Sequence, residues 1–200
     1  ATDSDSGQTQ TEPPTPANAY TGKMDMESYM QYLVGYFHEP YQQGDDISKN
    51  NLLYLSIFFC LANKDQFDSV KTNEENFTMR ITGKELERIA ADLIPHTGDL
   101  SPYHTTMENF SDFYSAETDT YVVGYAKGDW NADLYSLATD ENGKAKKPQI
   151  SETDTELIAV AETCYTPDFG VCENVRKMEY RFEKVIDDGF LFYRLSGIRE

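Results

Sequence analysis

Basic residues are scarce in this chain. Seventeen Lys and Arg stand against 35 Asp and Glu, a net charge of -18 over 200 residues. A nucleic-acid backbone is gripped by clustered cations that release counterions, so this balance argues against nucleic acid as a partner. It disfavours anionic lipid head groups for the same reason. Long apolar runs are missing too. None approaches the ~20 residues that a membrane helix needs, and the longest, LLYLSIFFCLA from Leu52 to Ala62, reads as a buried core helix. Catalytic signatures are equally thin: there is no G-x-S-x-G elbow, no Walker sequence, no G-x-G-x-x-G and no H-E-x-x-H. Abundant acids permit a glycosidase-type carboxylate pair, but nothing singles one out. No cofactor is expected.

What is present is aromatic. The chain is 39% hydrophobic and 13% aromatic, with 14 Tyr and 11 Phe, which is the composition of a globular protein with a real core. At this length one domain is expected. The first nineteen residues, ATDSDSGQTQTEPPTPANA, are set apart. They lack apolar periodicity and cannot bury enough surface to offset the entropy of ordering them, so residues 1–19 are expected to be a flexible tether. The chain starts without Met and without a signal peptide, as a processed form would.

Residues 20–200 read as a single α+β domain, with helices over about 24–95 and strands over about 105–200. In the first helix Met26, Tyr29, Met30, Leu33 and Phe37 recur at helical spacing, and Pro40 stops it. Ser48 caps a second helix running to about Asn63. The third, TGKELERIAADLIP, opens with a capping box of Thr82 and Glu85 and carries the stripe Leu86, Ile89, Ala90, Leu93. Phe77–Ile81 is a short extended lead-in. From residue 105 the apolar period falls to two. At the C-terminus Asp188-Gly189 suits a two-residue type I′ turn, which pairs Ile186 with Leu191, Lys184 with Tyr193 and Phe182 with Leu195. Both apolar sets then share one face. Helices followed by a meander of strands predict helices packed on one side of an antiparallel sheet.

Asp129, Asn131, Asp133 and Asp140 have the spacing of a calcium loop. Position six is Leu134 where the sharp turn wants Gly, and position twelve is Asp140 rather than the longer Glu. A turn at Gly128-Asp129 and a hairpin at Asn142-Gly143, with Glu141 opposite Lys144, explain the stretch better, so no metal is expected. Cys164 and Cys172 flank a Pro-Asp turn and can face each other across a hairpin. A disulfide there would fit an extracytoplasmic address; two reduced thiols in a cytosolic protein are the other reading. Cys60 reads as a small buried hydrophobe. His38, His96 and His104 read as loop histidines near helix ends.

One stretch carries a family resemblance. AETDTYVVGYAKGDW resembles a segment of uncharacterised extracytoplasmic lipoproteins of Gram-positive, often gut-dwelling, bacteria. The helix ITGKELERIAADLI, the hairpin IDDGFLFYRLSGI and the Thr/Ser/Pro spacer are similar to theirs, and the likeness covers roughly residues 77–200 as a pattern. It implies a surface-anchored protein, held to the membrane only through an N-terminal anchor, with a curved sheet of cystatin-like or nuclear-transport-factor-like layout. It implies no activity, since none is assigned to that family.

Two functions remain open. Tyr103, Tyr114, Tyr121, Tyr125, Trp130 and Tyr135 lie near the expected loops and strand ends, where aromatic rings can stack on sugars or peptides. That points to a surface binding module for a glycan, a peptide or a cell-surface protein. The alternative is a small extracellular hydrolase acting on cell-wall or glycan substrates.

Overall fold

The computed structural model describes residues 20–108, 110–125, 135–167 and 171–200. The expected tether, the turn at Gly128-Asp129, and Trp130, Asn131 and Asp133 lie outside the described residues.

The fold is α+β, with three α-helices among the described residues. Helix α1, Met26–Tyr36, is capped by Asp25, which accepts from the Glu27 amide (3.1 Å) and the Ser28 hydroxyl (2.8 Å). Its stripe Met26, Tyr29, Met30 and Leu33 is buried, as the spacing requires. Helix α2, Lys49–Ala62, is capped by Ser48. It is buried on most faces, and the Ser56 hydroxyl inside it donates back to the Leu52 carbonyl. That local bond lets a polar side chain sit in the core without a penalty for an unmade hydrogen bond. No helix among the described residues is long and apolar enough to cross a membrane. Helix α3, Gly83–Leu93, starts with Thr82 accepting from the Glu85 amide (3.1 Å). The capping box is one-sided, because the Glu85 carboxylate is taken by Arg88 and Ser69 instead of turning back to the cap.

The larger sheet has seven strands. Its path runs β1 (Gly22–Lys23), β11 (Phe190–Arg199), β10 (Glu173–Asp187), β9 (Glu156–Tyr165), β7 (Tyr135–Leu137). Strand β2 (Tyr41–Gln42) also pairs with β11, and β8 (Gln149–Glu152) with β9. Among the described residues only β1 with β11 is parallel. Asp188 and Gly189 both adopt positive φ (46° and 75°), which is the type I′ turn. The three pairs Ile186–Leu191, Lys184–Tyr193 and Phe182–Leu195 form as the turn dictates. Ile186 itself is exposed, although its partner Leu191 is buried.

A second sheet departs from the expected division into a helical half and a strand half. Strands β3 (Lys71–Asn73) and β4 (Thr78–Thr82) belong to the helical half by position. Yet β4 pairs along its whole length with β6 (Thr120–Gly124), and β6 with β5 (Tyr114–Ser115). The lead-in before α3 is therefore an inner strand, with Met79 and Ile81 buried. The Asn142-Gly143 hairpin is also offset by one residue: Asp140, not Glu141, opposes Lys144. Only Gly143 takes positive φ there (74°), while the Asp140 carboxylate accepts from the amides of Asn142 and Lys144. A left-handed Gly after a type I turn makes a three-residue loop rather than a two-residue one.

The core is one cluster formed by all three helices and residues of both sheets. Phe59 on α2 meets Phe190 and Phe192 with ring centroids 6.1 and 5.7 Å apart, and Phe67 meets Phe190 at 4.8 Å. On β10, Met178, Tyr180 and Phe182 are fully buried. The Tyr180 hydroxyl donates to the Phe37 carbonyl (3.2 Å), which ties the end of α1 to the sheet.

Candidate functional site

Along β10 the buried face runs Phe182, Tyr180, Met178, and the next position on that face is Arg176. Here the core ends, because α1 has ended at Tyr36 and Pro40 carries the chain away. Arg176 donates to the His38 carbonyl (2.9 Å) and to Glu39 Oε1 (3.1 Å). The Glu39 bond and charge hold its guanidinium firmly protonated, against a smaller opposing effect of burial. The His38 ring lies flat on Tyr135, centroids 3.5 Å apart, and Tyr135 meets Tyr165 at 5.3 Å across the β7–β9 pair. Burial lowers the His38 pKa, opposed in part by the Glu39 charge.

These residues enclose a groove of about 380 Å³ at the mouth of the sheet, lined by Glu39, Tyr135, Thr163, Tyr165, Asn174 and Arg176. Asn174 sits at a bulge between Glu173 and Arg176 with φ of 51°, a conformation that Asn tolerates better than most residues. The floor also contains Cys164, which is bonded to Cys172 with Cα atoms 5.5 Å apart. The disulfide staples the hairpin that carries Tyr165 on one strand and Asn174 on the other. Cys60 is free and buried. The chain matches no known family model, no curated protein and no solved structure.

The expected aromatic platform is not assembled as one surface. Tyr121 is 0% exposed and cannot offer its ring to a ligand, because its alternation with Val122 turns it inward beside Val123. Its hydroxyl meets His104 Nδ1 (2.6 Å), and His104 Nε2 meets Glu87 Oε1 (2.8 Å). A carboxylate can only accept, so Nε2 donates to Glu87. His104, read from sequence as a loop histidine, is thus a buried tie between α3 and β6 with both ring nitrogens spent. Tyr114 stacks against His104 (4.9 Å) and donates to Asp119 (2.7 Å), and burial with that bond raises its pKa to about 12. Asp119 in turn accepts from the Lys84 amide at the start of α3 (3.1 Å). Gly83 makes room for this: a Cβ there would lie 2.2 Å from Asp119 Oδ1.

Tyr103 is partly exposed on a short 3-10 turn, Ser101–Tyr103. Tyr125 lies at the other end of β6, donating to Glu74 (2.6 Å) with the Lys64 ammonium over its ring. Of the expected tyrosines, Tyr135 is the one that lines the mouth groove. Asp140 spends its carboxylate within its own turn, and among the described residues no three of His, Cys, Asp and Glu converge as a metal site.

Glu39, Asn174, Arg176 and Tyr165 went unread in the sequence. Arg176 had a faint signal, since it interrupts an apolar alternation two residues before Met178. Glu39-Pro40 marks a helix stop that leaves side chains facing outward.

One more polar cluster spans the sheet. Glu152 accepts from Tyr193 (2.6 Å), Lys184 (2.8 Å) and Lys23 (3.3 Å). Burial alone would raise this carboxyl, but the three donors outweigh it and hold it at about 2. The Tyr193 phenol is pushed up to about 12, by burial and then by Glu152. The cluster ties four strands together, so it reads as a clasp between β1, β8, β10 and β11.

Proposed function

We propose that this domain is a non-enzymatic binding module, displayed outside the cell on an N-terminal stalk, that recognises a glycan in the mouth groove. The observation that carries the reading is the groove itself. Two tyrosine rings stand beside a fixed Arg176–Glu39 pair and the Asn174 amide. Tyr rings offer broad contact area at low entropy cost, and planar polar groups can meet neighbouring hydroxyls of a sugar. The volume falls within the ~300–1,000 Å³ of small-ligand sites. Arg176 and Glu39 neutralise each other, which suits hydrogen bonding to a neutral polar ligand rather than proton transfer. The Cys164–Cys172 disulfide supports an oxidising compartment, and a tether rich in Thr, Ser and Pro supports a stalk. Tethering raises effective concentration at a surface, so modest contacts suffice.

The test is a glycan array probed with the wild-type domain and with Tyr135→Ala and Arg176→Ala. Binding that both substitutions weaken about tenfold or more, a change of ~1.4 kcal/mol, supports the reading. Glycan binding indifferent to both, or none at all, rejects it.

A further inference from the structure

Tyr135, one of the two tyrosines in the mouth groove, opens a strand of three residues, β7. So short a strand fixes a side chain through few backbone bonds, and the ring depends on what lies against it. One neighbour is Tyr165, tilted by 55° across the β7–β9 pair. The other is His38, flat on the ring with an interplanar angle of 10° and centroids 3.5 Å apart. His38 follows the end of α1, and its carbonyl is pinned by Arg176 (2.9 Å). The backing ring is thus fastened to the same guanidinium that lines the groove.

A positive charge on this ring would be poorly placed. The His38 side chain is only 20% exposed, and its Nδ1 is buried without a well-formed hydrogen bond. Charging it there strips the cation of most of its water. Glu39 Oε1 lies 3.9 Å from Nε2, but that carboxylate is already held by Arg176 (3.1 Å). Arg176 is itself a like charge that opposes protonation. Behind His38, in the cleft beside α2, Asp45 is taken by the Gln42 amide (2.7 Å) and Asp46 by Lys49 (2.9 Å). The phenols of Tyr135, Tyr36 and Tyr41 are neutral at any pH where an imidazole titrates. The Val34 and Gly35 carbonyls and the Glu39 charge favour the imidazolium, yet burial outweighs them and lowers the pKa from the ordinary 6.5.

Resting on the glycan reading of the groove, we propose that His38 is the positioning residue for Tyr135: its neutral ring holds the tyrosine in the binding pose, and acid releases both. The sign follows from proton linkage. A released imidazole protonates near the ordinary 6.5. Each pH unit below that value therefore moves the balance toward release by about tenfold. Released molecules outnumber stacked ones once pH falls below the lowered pKa of the folded chain. The groove binds at neutral pH and lets go in acid.

Proton NMR of the ligand-free domain, from about pH 8 to about pH 4.5 across the imidazole range, tests the positioning without any glycan. The His38 signals are identified by their loss in His38→Phe. In the wild type, His38 titrates below 6.5, and the Tyr135 ring signals move to unstacked positions with the same midpoint. His38→Phe keeps a flat ring against Tyr135 and has no proton to gain, so its Tyr135 signals hold still. In His38→Ala they stand at the unstacked positions throughout. A Tyr135 ring that stays put while His38 titrates overturns the proposal. So does a Tyr135 ring that moves equally in His38→Phe, or one unchanged by His38→Ala. The glycan array, run at both ends of this range, reads the consequence. Wild-type binding falls about threefold or more in acid, while His38→Phe binds alike at both. Equal wild-type binding at both, or an equal fall in His38→Phe, overturns the proposal and leaves the groove reading standing. No glycan bound at neutral pH rejects the groove reading and the release of ligand with it, and the ligand-free titration alone then upholds or overturns the positioning.

Discussion

Strand β10 presents one face to two different surroundings. In its middle Phe182 and Tyr180 are fully buried, with the Tyr180 hydroxyl on the carbonyl just past α1. At its mouth end Arg176 and Asn174 continue that face into a groove. The pairing of the strand shifts register twice, beside Asn174 and at Arg181–Phe182, and the face that carries Arg176, Met178, Tyr180 and Phe182 is kept; what changes is the cover. The helix runs out before the sheet does, and the uncovered remainder is polar. A binding site can arise simply where two elements of unequal length part company, with the shared backbone supplying rigidity from the sealed part.

That contrast can be broken from either side. Phe182→Ala in the sealed part should cost about 3–5 kcal/mol, lowering the melting temperature by roughly 10 °C in a domain of this size. A loss under 1 kcal/mol in denaturant titration would mean that the core is not where the burial places it. Replacing both Cys164 and Cys172 by Ser should cost about 2–3 kcal/mol on the chain-entropy argument for so short a loop. Amide exchange should rise at the mouth end and not around Phe182; a uniform rise would show that the two parts are not separable.

The Glu152 clasp predicts a pH dependence. Its folded carboxyl sits at about 2, below the ordinary 4.5. A depressed carboxyl contributes stability above 4.5 and loses it as pH falls from 4.5 toward 2. Because the Glu152 side chain is about one-third exposed (34%), solvent screening limits the contribution to roughly 1 kcal/mol. The stability difference between wild type and Glu152→Gln should therefore be largest at neutral pH and vanish near pH 2. A difference that stays flat with pH would deny the clasp. The smallest stability effect belongs to the groove: Arg176→Ala should cost under about 1 kcal/mol, as a partly exposed ion pair does, although the same change removes binding. Stability loss comparable to Phe182→Ala would make Arg176 a core residue and not a recognition one.

Much of the fold was legible where signals were local. Asp188-Gly189 fixes its own turn, and the turn fixes the register of Phe182, Lys184 and Ile186. Ser48 and Thr82 announce their helices. The second sheet was not legible, because Thr78–Thr82 finds its partner about forty residues later and its five positions are too few for a period to show. The Asn142-Gly143 register slipped by one because the Asp140 carboxylate, rather than the Asn142 backbone, decides that turn. The site was the least visible. Glu39, Tyr135, Tyr165 and Arg176 come from four segments, and neither composition nor spacing says that they meet. Tyr121 and Val123 share a face opposite Val122, but alternation alone does not say which face is the inward one.

Cys60 has a use of its own. It lies at 0% exposure within α2, and burial raises its thiol pKa well above the ordinary range. With Cys164 and Cys172 bonded to each other, it is the only thiol the folded chain has to offer. A reagent in solution can reach it only while α2 is lifted from its neighbours. Its labelling rate is therefore a stopwatch for rare openings of the core, one that needs no added probe and leaves the mouth groove untouched.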